Sequence, residues 1–430
     1  MWTDQSIFYQ IYPMGAFGAP FENDGILEHR ILKMKDWMDD LNDLGIDCLL
    51  FNPMVQSHTH GYDTIDYYQI DCRLGTSEDV QEIIEQLHKR DIKVLFDGVF
   101  NHVGRGFFAF QDVLKNRHQS PYKDWFYINF EDNNSMNDGL SYQNWEGNEP
   151  LVKLNLQNPE VRNYLLDVIG FWMDTFQIDG IRFDVAYSLD HQFLKEVRSF
   201  CKSRNPEFFL LGETLHGDYN VWMNESMLDS CTNYECYKGL YSSFNSKNFF
   251  EICHSLNRQF GQDPWCLYTG KQLFNFVDNH DVVRIASQLE DKNHIPLIYA
   301  MLLTMPGMPC LYYGSEWGIE GEKNWNDTNL RPEVEKLQSN ELTQWIKRLI
   351  DIKHKESSFH QSSFRQIGLT NTACVYERGN CWVAINMEAN PCAIYCQEGG
   401  QFIDLLTQDR VDIQNELSLN GYQVRILKRI

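Results

Sequence analysis

Four short apolar runs in this sequence end in side chains suited to acid–base or ligand chemistry. Val94-Leu95-Phe96 is followed by Asp97, and then by Asn101-His102. Gly180-Ile181 leads into Arg182-Phe183-Asp184, and Phe209-Leu210-Leu211 into Gly212-Glu213. Phe274-Asn275-Phe276-Val277 leads into Asp278-Asn279-His280-Asp281. Each run supplies a carboxylate, two of them with a histidine nearby and one with an arginine. Gathered at one place these carboxylates repel, so a fold that collects them must use the charge. Two uses fit the residue types. In glycoside hydrolysis one carboxylate attacks the anomeric carbon and a second carboxyl protonates the leaving oxygen, while a third charge stabilises the oxocarbenium-like state. In a metal site Asp, Glu and His are ligands. A solvated strand-end cap is the ordinary reading of any one of these residues; four such endings in one chain argue for a site.

The elements that must position them alternate. Strand-like runs fall at 7–12, 47–51, 93–99, 180–185, 208–211, 273–277 and 309–313. Helical periodicity falls at 27–44, 78–90, 159–176, 190–201 and about 247–260, with Gly45 as a C-cap and Pro159 in a first turn. Strands alternating with helices imply a parallel sheet with helical crossovers. Around eight such units fit, which predicts an α/β fold, a closed (β/α)₈ TIM barrel, with function at the carboxyl ends of its strands. The alternation stalls between 104 and 150, where Asn133-Asn134, Asp138-Gly139 and Gly147-Asn148 mark an inserted, loop-like subdomain after the third strand. Near Phe359 the texture changes to short β-rich pieces. The expected organisation is a barrel of residues 1–103 and 151–355, an insertion of 104–150 and a C-terminal all-β sandwich of 356–430.

Composition excludes several classes. The 430 residues are 43% hydrophobic and 23% charged, an ordinary globular balance. Lys plus Arg number 37 against 60 Asp plus Glu, a formal net charge of −23 that argues against nucleic acid or an anionic membrane as partner. No apolar run is long enough to span a membrane, and no secretory leader is visible at the N-terminus. The twelve cysteines contain no CxxC pair and read as buried thiols in a reducing, cytoplasmic compartment. The 11 Trp, 21 Tyr and 27 Phe offer flat faces of the kind that stack on sugars.

The segments 97–102, 180–184, 212–213 and 276–281 resemble, in order and separation, the four short regions of the α-amylase family of glycoside hydrolases. The resemblance extends to Gly61-Tyr62-Asp63-Thr64-Ile65-Asp66-Tyr67, to Leu154-Asn155 and to Tyr312-Tyr313-Gly314-Ser315-Glu316-Trp317-Gly318. Leu151-Val152-Lys153-Leu154-Asn155 and Thr59-His60-Gly61-Tyr62 resemble the neopullulanase and cyclomaltodextrinase branch, although with a strand-like run already at 7–12 the N-terminal accessory domain of many such enzymes is not expected. The resemblance implies Asp184 as nucleophile, Glu213 as general acid/base and Asp281 as transition-state stabiliser. Arg182 would hold Asp184 ionised, His102 and His280 would hydrogen-bond sugar hydroxyls, Tyr62 would stack on the same ring, and Asp97 and Asn101 would support the site. No cofactor is required on this reading. In some relatives the equivalent of Asn101 binds calcium, and the sequence itself assigns no metal ligand.

The departures lie at Tyr187-Ser188 and at Thr214-Leu215-His216, positions that shape the acceptor side. The implied activity is retaining hydrolysis of α-1,4 bonds in soluble maltooligosaccharides. The alternatives are a transglycosylase, a metal-dependent hydrolase using the same carboxylates, and a non-catalytic binding or transporter-associated member of the family.

Overall fold

The computed structural model describes all 430 residues. Eight parallel strands form the barrel: β1 (Phe8–Ile11), β2 (Cys48–Phe51), β3 (Lys93–Gly98), β4 (Gly180–Phe183), β5 (Phe209–Gly212), β6 (Ser230–Cys231), β7 (Phe274–Phe276) and β8 (Met308–Tyr312). Their spatial order is β6-β5-β4-β3-β2-β1-β8-β7. The barrel closes where Thr232 bridges to Phe274 and the Asn233 N–H donates to the Phe274 carbonyl at 2.8 Å. Side chains alternate in and out along a strand, so every second residue faces the interior. Phe8, Leu50, Leu95, Phe209, Leu211, Phe274 and Phe276 belong to one apolar cluster that fills it. One inward step further along the strands the residues turn polar: Gln10, Asn52, Asp97 and Arg182, with Asp97 and Arg182 paired in register. The candidate chemistry thus sits on a packed apolar plug.

Helices cover the barrel, and their ends follow local rules. Ser77–His88 begins with a capping box in which Thr76 and Asp79 satisfy each other's backbone N–H. Pro159–Thr175 and His191–Arg204 start at Asn158 and Asp190, which accept from the first-turn N–H groups. Gly45 ends Met38–Leu44 at φ 89°, a left-handed value that favours glycine.

Two expectations need correction. The predicted helix 27–44 is a 3₁₀ stretch, Arg30–Asp36, followed by a short α-helix, Met38–Leu44. The helix expected near 247–260 is present as Phe250–Phe260, and an unpredicted helix, Tyr234–Asn245, precedes it after β6, which was too short to register as a run. The insertion is not only loop: it contains the helix Phe108–Asn116 and is clamped at its base by His102–Gly104 pairing antiparallel with Asn148–Lys153. The helix Ile295–Thr304 has no amphipathic period because it is buried nearly all round.

The C-terminal region is antiparallel. Six strands, Arg365–Leu369, Ala373–Arg378, Cys381–Asn386, Val424–Arg429, Gly400–Asp404 and Arg410–Ile413, form one sheet, and Cys392–Tyr395 pairs with Glu416–Leu419 in another. Ile367, Val375, Trp382, Ile394, Phe402 and Leu417 form the core between them. No helix is long and apolar enough to cross a membrane. All twelve cysteines are free, nine of them buried.

The loop after β2 is held by an ion pair with no exposed side-chain surface. Arg73 meets Asp71 at 2.8 Å and donates to the carbonyls of Pro20 and Phe21, while Asp71 accepts from the Ser57 N–H and hydroxyl. Removing one partner strands a buried charge. Arg73→Ala is therefore expected to cost about 3–5 kcal/mol, read as a lowered thermal midpoint. Asp71→Asn in the same background should recover part of the loss, and no recovery would count against the pairing.

Candidate active site

Arg182 is the hub. Its Nη1 donates to both Asp97 oxygens at 2.7 Å and lies 3.4 Å from Asp184 Oδ1, and its Nη2 lies 3.0 Å from Glu213 Oε1. All four side chains are nearly buried. Parallel pairing explains the meeting: Arg182 stands opposite Asp97 of β3 and Leu211 of β5, and Glu213 follows two residues later on the same face. Burial alone would weaken the proton affinity of Arg182, but Asp97 and Glu213 outweigh it and hold the guanidinium charged. Burial and repulsion from Glu213 push the Asp184 carboxyl well above the usual range, against the pull of Arg182.

The turn after β4 contributes a backbone donor. Val185 adopts φ 41° and ψ 46°, a left-handed conformation uncommon for a β-branched residue. Such a conformation costs on the order of 1–3 kcal/mol. It aims the Val185 N–H at Glu213 Oε2, 2.9 Å away. The Tyr234 hydroxyl lies 3.4 Å from the other Glu213 oxygen and itself accepts from Asn279.

Asp281 is held by a separate pair of groups. Arg331 donates to Oδ1 at 3.0 Å, and His280 Nε2 lies 3.0 Å from Oδ2. Loss of water opposes its ionisation, but His280, Arg331 and Arg182 prevail and hold it well below the usual carboxylate range. The Asp281 side chain remains 36% exposed, open to the cavity.

Tyr62 lies parallel to His280, with ring centroids 5.6 Å apart, and its hydroxyl reaches Asp97 Oδ2 at 3.0 Å. Asn52 donates to the Tyr62 hydroxyl and to Asp97, both at 3.0 Å, and Gln10 lies 3.0 Å from His280 Nδ1. His102 presents a buried Nε2 with no hydrogen-bond partner. Burial lowers its pKa to about 3, so it is a neutral imidazole.

These groups border a cavity of about 570 Å³. Tyr62, His102, Asp184, Glu213 and Asp281 line it; His280, without exposed surface, lies beneath it, and Arg182, Asp97 and Asn101 form the layer below. Sequence reasoning missed Gln10, Asn52, Tyr234 and Arg331. Asn52 directly follows β2 and was open to the same strand-end rule that found Asp97, whereas Gln10 lies inside β1, with Ile11 after it, and was not. Arg331 stands in an irregular stretch that carries no such signal.

The arrangement suits acid–base and nucleophilic chemistry better than a metal. Arg182 occupies the position among Asp97, Asp184 and Glu213 that a cation would need. Asn101 Oδ1 is a buried acceptor without a partner, but no three Asp, Glu, His or Cys side chains converge on an ion-sized site there or elsewhere. A calcium ion takes six to eight oxygens, so these residues do not fit one.

Residues 34–348 match the family model for the α-amylase catalytic domain. A cyclomaltodextrinase from a Bacillus species is 33% identical over 348 residues, covering 74% of this chain and 60% of that protein. The chain thus spans about three fifths of that relative's length. Neopullulanase 2 of Thermoactinomyces vulgaris is 30% identical over 461 residues of alignment, covering 99% of this chain and 78% of its own. Among solved structures, a protein from Thermus thermophilus aligns with a TM-score of 0.84 at 27% identity, with both chains covered completely.

The raised proton affinity of Asp184 has a stability consequence. A carboxyl that binds its proton more tightly folded than unfolded favours the fold at low pH. That contribution is lost as pH rises from the unfolded value toward the folded one. Asp184→Asn removes the ionisation. It should therefore raise the thermal midpoint at pH 8 and change it little at pH 4. An equal shift at both values, or a loss at pH 8, would contradict the electrostatic reading.

Proposed function

The chain belongs to the α-amylase family, and from that premise we propose that it hydrolyses α-1,4 links of soluble maltooligosaccharides with retention of configuration. The observation that carries the reading is the single guanidinium of Arg182 touching both Asp184 and Glu213. It supports a nucleophile and an acid held close together, as retention needs.

In the proposed cycle Asp184 attacks the anomeric carbon and Glu213 gives its proton to the glycosidic oxygen, which leaves with the acceptor sugar. Water then enters on the same side, Glu213 takes its proton, and the glycosyl–Asp184 ester opens to an α-configured product. The raised proton affinity of Asp184, caused by burial and by the neighbouring Glu213 carboxylate, supports a pair whose two charges are costly to hold side by side. Arg182, in contact with both carboxylates, balances the charge on Asp184 while Glu213 acts as the acid. Asp281, kept ionised by His280 and Arg331, faces the oxocarbenium-like centre. His102 grips ring hydroxyls through its free Nε2, and Tyr62 supplies a flat face. His280 is a positioning residue that acts through Asp281. Calcium has no step in this scheme.

Cyclic and linear glucans are the substrate class suggested by the relatives' names. Transfer to a second sugar is the rival outcome of the same intermediate. It is favoured by Tyr187 and Leu215, which give the leaving-group side of the cavity an aromatic and apolar lining. Chromatography of products from maltoheptaose and a cyclodextrin over time separates the two.

The roles are tested by paired substitutions. Glu213→Gln should lower turnover of maltotriose by about 10²–10⁴-fold, and far less on an aryl glycoside whose leaving group needs little protonation. Asp184→Asn should abolish both. NMR of fresh product should show the α anomer first. Equal losses for the two variants on both substrates, or a β anomer first, would reverse the assignment.

A further inference from the structure

Trp325 is 87% exposed, the most exposed large apolar side chain in the protein, and it lines the mouth of the catalytic cavity. Indoles are usually covered, because each buries a large apolar area. Here the loop holds the ring out. Asn324 donates to Asn326 and Thr328, both at 3.0 Å, and the Thr328 hydroxyl donates to Asn326 at 2.9 Å. Trp325 meets Phe21 edge-on, with centroids 6.1 Å apart. Phe21 lies 6.4 Å from His60, which lies 6.0 Å from Tyr62. An aromatic path therefore runs from the base of the cavity to its rim. Arg73, donating to the Phe21 carbonyl, fixes its middle.

The path has a direction once the proposed roles of Asp184 and Glu213 are accepted, and the inference rests on that reading. The leaving sugar must lie beside Glu213, where Tyr187 and Leu215 line the cavity. The ring being cleaved lies at Tyr62. The path through His60 to Phe21 and Trp325 then follows the substrate toward its non-reducing end. Beside Trp325, Asp327 lies between Lys323 and Arg331, each 3.8 Å away, so the same loop brings charged side chains to the cavity mouth.

We propose that Trp325, backed by Phe21, is a stacking platform for the second glucose ring on the non-reducing side of the cleaved bond. The protein would then discriminate substrates by whether that ring is present.

The test compares p-nitrophenyl α-maltoside with p-nitrophenyl α-glucoside, followed by released nitrophenol. The two share a leaving group and differ only in the second ring. Trp325→Ala should lower the maltoside-to-glucoside ratio of kcat/KM by about tenfold or more, and Trp325→Phe should restore most of it. An unchanged ratio overturns the proposal. So does a raised one, which would make the indole an obstruction. Calorimetric titration with maltose and glucose separates this result from the catalytic reading. If the wild type releases no nitrophenol, the proposed function fails, yet the platform still requires maltose to bind more tightly than glucose and to lose that advantage in Trp325→Ala. Equal binding of the two sugars overturns the platform.

Discussion

One buried guanidinium organises the mouth of this barrel. Arg182 contacts Asp97, Asp184 and Glu213, three carboxylates that neighbouring strands deliver to one face. Without it the register that builds the barrel would concentrate negative charge in a poorly hydrated space. A buried ion group of this kind is weak evidence for stability, because desolvation offsets most of the attraction. Its value lies in geometry. A planar, permanently charged fork can hold three carboxylates in fixed directions, which a lysine's point charge does not. The cost of assembling the cluster is borne by the apolar layer beneath it, where Phe8, Leu50, Leu95, Leu211 and Phe276 fill the barrel.

The second charge centre has its own arginine, although Arg182 also acts on it from a distance. Asp281 follows β7 and is held by its neighbour His280 and by Arg331 from the loop after β8. That loop is anchored from below. Arg284 donates to the carbonyls of Tyr313 and Leu330, and to Ser315, whose hydroxyl donates in turn to Asp278. The two centres drive their carboxylates in opposite directions, Asp184 up and Asp281 down. Separation of this kind lets neighbouring carboxylates serve different roles at one pH.

What could be read from the sequence divides along the same line. The residues at strand ends were legible, because an apolar run followed by a polar side chain marks the point where the barrel interior turns from plug to site. Asp97, Arg182, Asp184, Glu213 and Asp281 all obey that rule, and so does Asn52; Gln10, inside the run of β1, does not. Loop residues outside the quoted motifs were illegible. Arg331 and Trp325 lie in a stretch stitched by Asn324, Asn326 and Thr328, where side-chain-to-side-chain hydrogen bonds replace periodic structure. The helix Ile295–Thr304 was lost for the opposite reason: burial on every side erases the period that reveals a helix. His280 shows a third limit. Its place in a motif says that it belongs to the site, but only the fold shows that it lies under Asp281.

The contrast between the base of the cavity and its rim bears on how such a site acquires preference. At the base, Tyr62, Asn52, Asp97, Arg182 and His280 hydrogen-bond to one another across four strands, so a change in one disturbs several. At the rim, Trp325, Leu215 and Tyr187 project from separate loops whose backbones are fixed elsewhere. Leu215 stands two residues from Glu213, yet the Val185 N–H and Arg182, not Leu215, set the direction of that carboxyl. The hydrogen-bonded base and the aromatic rim are therefore built from different residues. A fold built this way can keep its carboxylates and its arginine unaltered while the rim is rewritten for another sugar, which is why fold and catalytic core together identify a reaction class more readily than a substrate.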